Sequence, residues 1–85
     1  MKYHAKVQEI IDKVKSGYLE PKRYVIQIED GCSVSINFYL NKQIWYIDNY
    51  KNNEFHGKSE GWFSNGNKQY SENWKNGKLI EDVNL

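Results

Sequence analysis

The chain predicts an α+β fold: an N-terminal helix packed on one face of an antiparallel β-meander of five to six strands. Three observations carry this. Apolar residues recur at helical spacing over residues 3–16, they alternate with period two over 24–38, and the second half holds two Asn-Gly pairs flanked by aromatic segments. With 85 residues, positions 1–85 form a single domain.

The helical signal comes first. Tyr3, Val7, Ile10, Ile11 and Val14 fall on one face, with Lys, Gln, Glu and Asp filling the rest. Gly17 suits the position just past a helix end, and Pro21 blocks re-entry, so 1–17 is the helical segment. One apolar stripe means one packing surface, and the helix is expected to lie on a sheet.

Residues 22–50 hold the first three strands. Tyr24, Ile26 and Ile28 alternate, as do Val34, Ile36 and Phe38, with Glu29-Asp30-Gly31 between them. A three-residue hairpin loop closes there if Gly31 takes a left-handed conformation, setting Ile28 opposite Cys32, Ile26 opposite Val34 and Tyr24 opposite Ile36. A two-residue turn at Asn41-Lys42 would set Phe38 opposite Trp45 and Ile36 opposite Ile47. The helix stripe then meets Ile26, Val34, Ile36, Phe38, Trp45 and Ile47. Residues 51–58 read as a polar loop. Asn65-Gly66 and Asn76-Gly77 place strands near 59–64, 67–74 and 78–83.

Composition narrows the function. The net charge of +1 supplies no long-range field for a strongly charged partner, yet aromatic content reaches 15%. Cys32 is the single cysteine, so no internal disulfide can form, and the chain shows neither a signal-peptide pattern nor a membrane-spanning run. A cytoplasmic location, in a producing or infected cell, is the expectation, with no membrane partner. His4, Cys32 and His56 are scattered, whereas a structural zinc site needs about four ligands at short spacing. A Cys-His catalytic pair needs the two within hydrogen-bond reach plus an orienting group, and nothing in the sequence brings Cys32 and His56 together. No catalytic residue, metal site or cofactor is therefore expected. Lysines are balanced by acids in both halves and Arg23 is the one arginine, which argues against nucleic acid as partner.

An internal repeat organises the second half. Phe38–Asn53 aligns without gaps on Trp62–Gly77, and Asn41, Tyr46, Asn49, Lys51 and Asn52 recur as Asn65, Tyr70, Asn73, Lys75 and Asn76 at a constant offset of 24. A constant offset marks a repeated supersecondary unit. The segment WFSNGNKQYSENWKNGK, residues 62–78, resembles the MORN-type repeat, in the variant found in small bacterial proteins described as antitoxin-like. The likeness spans about 38–83, with 59–85 forming a MORN-like hairpin and last strand, and leaves the N-terminal half unmatched. It implies a β-hairpin array serving as scaffold or protein-interaction surface, and no enzyme.

The repeat also nominates a site. Tyr39, Tyr46 and Tyr50, with their counterparts Phe63, Tyr70 and Trp74, are expected to form one aromatic stripe on the sheet face opposite the helix. Such rings stabilise a thin sheet by cross-strand stacking and also suit a contact surface. The expected function is a small non-enzymatic protein-binding module, an inhibitor or antitoxin-like adaptor of bacterial or phage type. The alternatives are a homo-oligomerising structural protein, pairing as a homodimer, and a nucleic-acid or small-ligand binder.

Overall fold

The computed structural model describes residues 3–83. The domain limits at residues 1–2 and 84–85 lie outside them. One helix, α1 (Ala5–Lys15), precedes six strands: β1 (Tyr24–Gln27), β2 (Cys32–Phe38), β3 (Ile44–Lys51), β4 (Glu54–Trp62), β5 (Lys68–Lys75) and β6 (Lys78–Val83). They form a single antiparallel sheet in the order β1-β2-β3-β4-β5-β6, an uninterrupted meander. The α+β class and six-strand count agree with the sequence pattern.

The helix starts at Ala5, two residues later than the apolar spacing suggests. His4 is its N-cap rather than part of its first turn, and its Nδ1 accepts the Lys6 N–H at 3.1 Å. That bond satisfies one of the N–H groups a helix start leaves unpaired. At the other end Gly17 adopts φ 84°. Its N–H donates to Val14 O, and the Tyr18 N–H donates to Lys13 O, closing the helix in a Schellman motif.

Val7, Ile11 and Val14 are buried against Val34, Ile36 and Phe38 of β2 and Ile44 and Ile47 of β3. Tyr3, Ile10, Leu19, Tyr24, Ile26, Ile28 and Trp62 pack around this cluster. The helix therefore covers the β1–β3 half of one face. It is too short and polar to cross a membrane, and no other described helix exists.

The first hairpin has the expected register, Tyr24 with Ile36 and Ile26 with Val34. Asp30 joins Gly31 at positive φ, 58° and 75°. The second hairpin differs. Its loop holds three residues, Leu40-Asn41-Lys42: Tyr39 N–H donates to Gln43 O, and Lys42 takes the left-handed position at φ 73°. The longer loop shifts the pairing, so Phe38 lies opposite Ile44, Asn37 opposite Tyr46, and Trp45 becomes the extra residue of a β-bulge. Ile44, 8% exposed, takes the core place assigned to Trp45, which is 44% exposed.

The repeat is a repeat of structure. Ser64-Asn65-Gly66 forms the same three-residue loop, with Phe63 N–H donating to Asn67 O and Gly66 at φ 92°, and a bulge falls at Gly61/Trp62 as at Asn37/Phe38. It is not the two-residue turn that Asn-Gly suggests. The side-chain oxygens of Asn41 and Asn65 accept the N–H two residues on, from Gln43 and Asn67. Asn-Asn and Asn-Gly then close matching two-residue turns. Asn52 and Asn53 sit at φ 51° and 66°, and Asn76 and Gly77 at 51° and 78°. The segment 51–58 is thus no loop: β3 runs to Lys51, β4 begins at Glu54, and the two residues pair.

Candidate functional site: the uncovered sheet face

Strand pairing assigns each side chain to a face. On the side away from α1, β3 presents Tyr46, Asp48 and Tyr50, β4 presents Phe55, Gly57, Ser59 and Gly61, and β5 presents Tyr70, Glu72 and Trp74. No second helix or sheet lies over this side among the described residues. The six rings named from sequence are all half-buried or exposed, so none is core. Tyr46, Tyr50, Tyr70 and Trp74 lie on the far face. Tyr39 and Phe63 stand outside the strands, at the hairpin ends, and in place of the expected single stripe Tyr50 and Trp74 join one ring cluster, Tyr39 and Tyr46 another, and Phe63 and Tyr70 neither.

In the first cluster Phe55 bridges β3 and β5. Its ring stacks on Tyr50 at 5.0 Å between centroids and meets Trp74 tilted by 30° at 4.9 Å. The second gathers Tyr39, Trp45 and Tyr46: Tyr39 stacks on Trp45 at 5.1 Å, and Trp45 meets Tyr46 edge-on at 5.8 Å. The Tyr39 hydroxyl donates to Trp62 O at 2.8 Å, and Asn41 Nδ2 donates to Ser64 O at 2.9 Å, tying the first repeat's loop to the second's. Phe55 and Trp45 were missed from sequence, the first because it fell in the supposed loop, the second because it was placed in the core.

Between the clusters runs a polar row. Ser35, Asp48, Ser59, Glu72 and Asp82 lie opposite one another across β2 to β6. Ser59 is buried, and its hydroxyl donates to Asp48 Oδ1. Trp74 Nε1 donates to Glu72 Oε1 at 3.3 Å. Burial pushes the Asp48 carboxyl above its usual pKa. The Ser59 bond and Arg23 work the other way, and the Glu72 charge adds to the rise. Tyr50 and Tyr70 are raised too, by burial first and then by the Asp48 charge. Tyr70 leans over Gly61 so closely that a Cβ there would lie 2.3 Å from the ring. Glycine leaves the room that ring occupies.

The two faces differ in charge. The far side of β3 to β6 carries Asp48, Glu72 and Asp82, while Lys51, Lys58, Lys68, Lys75 and Lys78 all project from the helix side. On that side Glu60 is buried with Lys68 in contact and Lys58 Nζ at 4.0 Å, and Lys68 Nζ sits 4.1 Å above the Trp62 ring.

The residues considered for chemistry have structural places. His4 caps α1, His56 Nδ1 accepts the Asn76 N–H at 3.2 Å, and Cys32 lies opposite Lys51 at the start of β2. His56 is a half-buried strand residue rather than a solvated loop one. A cleft of about 160 Å³ opens between the start of α1 and β3/β4, lined by Tyr3, His4, Asn49, Lys58 and Glu60 among others. Burial, then the Glu60 charge, raises the Tyr3 phenol. No family model, curated protein or solved structure matches the chain.

Proposed function

We propose that this chain is a small non-enzymatic protein-binding module that acts through the far face of its sheet. One observation carries the reading: stacked, half-exposed rings of Tyr50, Phe55 and Trp74 stand on a face that no other described element covers. Tyrosine and tryptophan dominate the energetics of protein contacts, because their rings bury large area at low entropic cost. No described element closes over this face, which suits a protein surface better than an enclosed small molecule. Its acids repel phosphate, which weighs against nucleic acid.

The recurrence of loops, bulges and turns at one offset supports a MORN-like hairpin array, with α1 and β1–β2 capping its first repeat. The biological role that fits is an inhibitor or adaptor in the cytoplasm of a bacterium or of a phage-infected cell.

A second reading has its own observation. β6 is an edge strand, and Leu79 and Ile80 on it are 45% and 63% exposed, which would suit pairing with a second copy. Against it, the register shift at Asn73/Trp74 makes Ile80 an extra residue that disrupts the edge.

The experiment is affinity capture from the source cell with wild type and with Tyr50→Ala/Trp74→Ala, alongside light scattering of the isolated chain. The reading expects a monomer that captures a defined protein, with capture lost in the double variant while its cooperative melt persists. A dimer that captures nothing would favour the edge-strand reading.

A further inference from the structure

Asp48 and Glu72 are counterparts in the repeat, and strand pairing sets them on either side of Ser59. Adjacent strands lie about 4.8 Å apart, so their backbones are roughly 10 Å apart and side chains can close the gap. Asp48 accepts the Ser59 hydroxyl, Glu72 accepts the Trp74 Nε1–H, and both acids are half-buried. Like charges held this way repel, and each favours a cation between them.

Among the described residues no cation lies within ion-pair distance of either acid. Among the described residues the ion pairs are Lys13 with Glu9 and Lys58 and Lys68 with Glu60, all on the other side of the molecule. Arg23 is the cation Asp48 feels, but its Nε–H is given to Ser35 Oγ at 3.0 Å, and it pairs with neither acid. On either side of the acids stand aromatic rings, Tyr46 and Tyr70 toward one end and Tyr50, Phe55 and Trp74 toward the other. A guanidinium or ammonium group gains from carboxylates and from ring faces alike, and the methylene stem of Arg or Lys packs on rings.

From this charge complementarity we infer that the far face docks a basic segment of the partner protein, with an arginine or lysine side chain held between Asp48 and Glu72 and its stem against Tyr50 and Trp74. The inference rests on the protein-binding reading and names the chemistry of its partner. The net charge of +1 gives the molecule as a whole no attraction for cations, so binding must come from this local pair.

The test titrates a hexa-arginine peptide into the full chain, following the Trp74 indole and Tyr50 ring resonances by NMR and affinity by calorimetry. Hexa-glutamate is the sign control. Asp48→Asn/Glu72→Gln is compared with Glu9→Gln/Glu81→Gln, which changes the net charge equally but away from the far face. The inference expects saturable shifts at Trp74 and Tyr50 with hexa-arginine alone. It expects about tenfold or greater weakening in the first pair of substitutions and little in the second. Equal weakening in both pairs, shifts centred elsewhere, or no saturation would overturn it. The same variants separate this inference from the broader reading. If a captured partner is lost by Tyr50→Ala/Trp74→Ala but held undiminished by Asp48→Asn/Glu72→Gln, the face binds protein and the basic segment is refuted. If hexa-arginine competes with that partner, the inference stands.

Discussion

Replacing Ile44 and Trp45 one at a time tests the strand register on which every facial assignment depends. With a three-residue loop at 40–42, Ile44 enters the core opposite Phe38 and Trp45 is expelled into the bulge. Ile44→Ala then leaves a cavity against Phe38 and the helix, at a cost of about 2–5 kcal/mol. A chain of 85 residues has a total stability of roughly 4–13 kcal/mol at the usual value per residue. For a domain of this size each kcal/mol moves Tm by about 4–8 °C, so Ile44→Ala should lower Tm by roughly 10 °C or more. Trp45→Ala removes a larger side chain but mostly its contacts with Tyr39 and Tyr46, each aromatic pair contributing about 0.5–1.5 kcal/mol. The two pairs together come to about 1–3 kcal/mol. Thermal and urea unfolding followed by circular dichroism reads both. Should Ile44→Ala not fold, Ile44→Val at about 0.5–1.5 kcal/mol gives a measurable substitute. If Trp45→Ala costs more than Ile44→Ala, Trp45 is core, the bulge is absent, and the account of the far face falls with it.

Lys42→Gly should stabilise the fold by about 1 kcal/mol, because a non-glycine residue at φ 73° carries a left-handed penalty that its counterpart Gly66 escapes; denaturant midpoints read this, and a loss of stability would refute the turn geometry. Gly61→Ala should cost about 1–3 kcal/mol and displace the Tyr70 ring, visible as large shifts of its resonances, whereas an unmoved ring would contradict the close approach. Asp48 has a raised carboxyl pKa in the fold, so folding favours its protonated form: its contribution is most favourable below the unfolded value of 3.8 and is lost as pH rises through the folded pKa. Asp48→Asn should therefore gain stability relative to wild type on going from pH 3 to pH 7, and a difference that shrinks with pH would reverse the sign of the argument. Cys32→Ser and His56→Ala should leave partner binding within about threefold, since neither lies in the proposed contact; a hundredfold loss in a folded variant would point to chemistry at those residues.

Much of the architecture is written in local patterns. The i, i+4, i+7 spacing of Tyr3, Val7 and Ile10 marks the helix face, and the alternation through Tyr24–Phe38 yields the first hairpin's register residue by residue. What local pattern misses is loop length. Asn41-Lys42 and Asn65-Gly66 look like two-residue turns. The Asn side chains instead bind the N–H two residues on, and one further residue enters each loop. That single residue makes Trp45 the extra residue of a bulge and moves it from core to surface, while Ile36 still pairs with Ile47 as expected. The segment 51–58 is polar enough to read as a loop, yet the repeat carries the contrary signal: Asn52-Asn53 occupies the place of Asn76-Gly77 and closes the same turn. The site is legible only in part. Parity assigns Tyr46, Tyr50, Tyr70 and Trp74 to the far face. The roles of Phe55 and the Asp48–Glu72 pair depend on the full length of strand β4 between them, whose first part the sequence pattern reads as loop.

The central claim, that the far face is where this molecule meets its partner, is tested most directly by an NMR footprint of the captured partner on the isotope-labelled chain. Chemical-shift changes and line broadening should centre on Tyr46, Tyr50, Phe55, Tyr70 and Trp74, leaving α1 and the lysines of the helix side undisturbed. A footprint on α1, on the cleft beside Tyr3 and Glu60, or along the edge of β6 would contradict it.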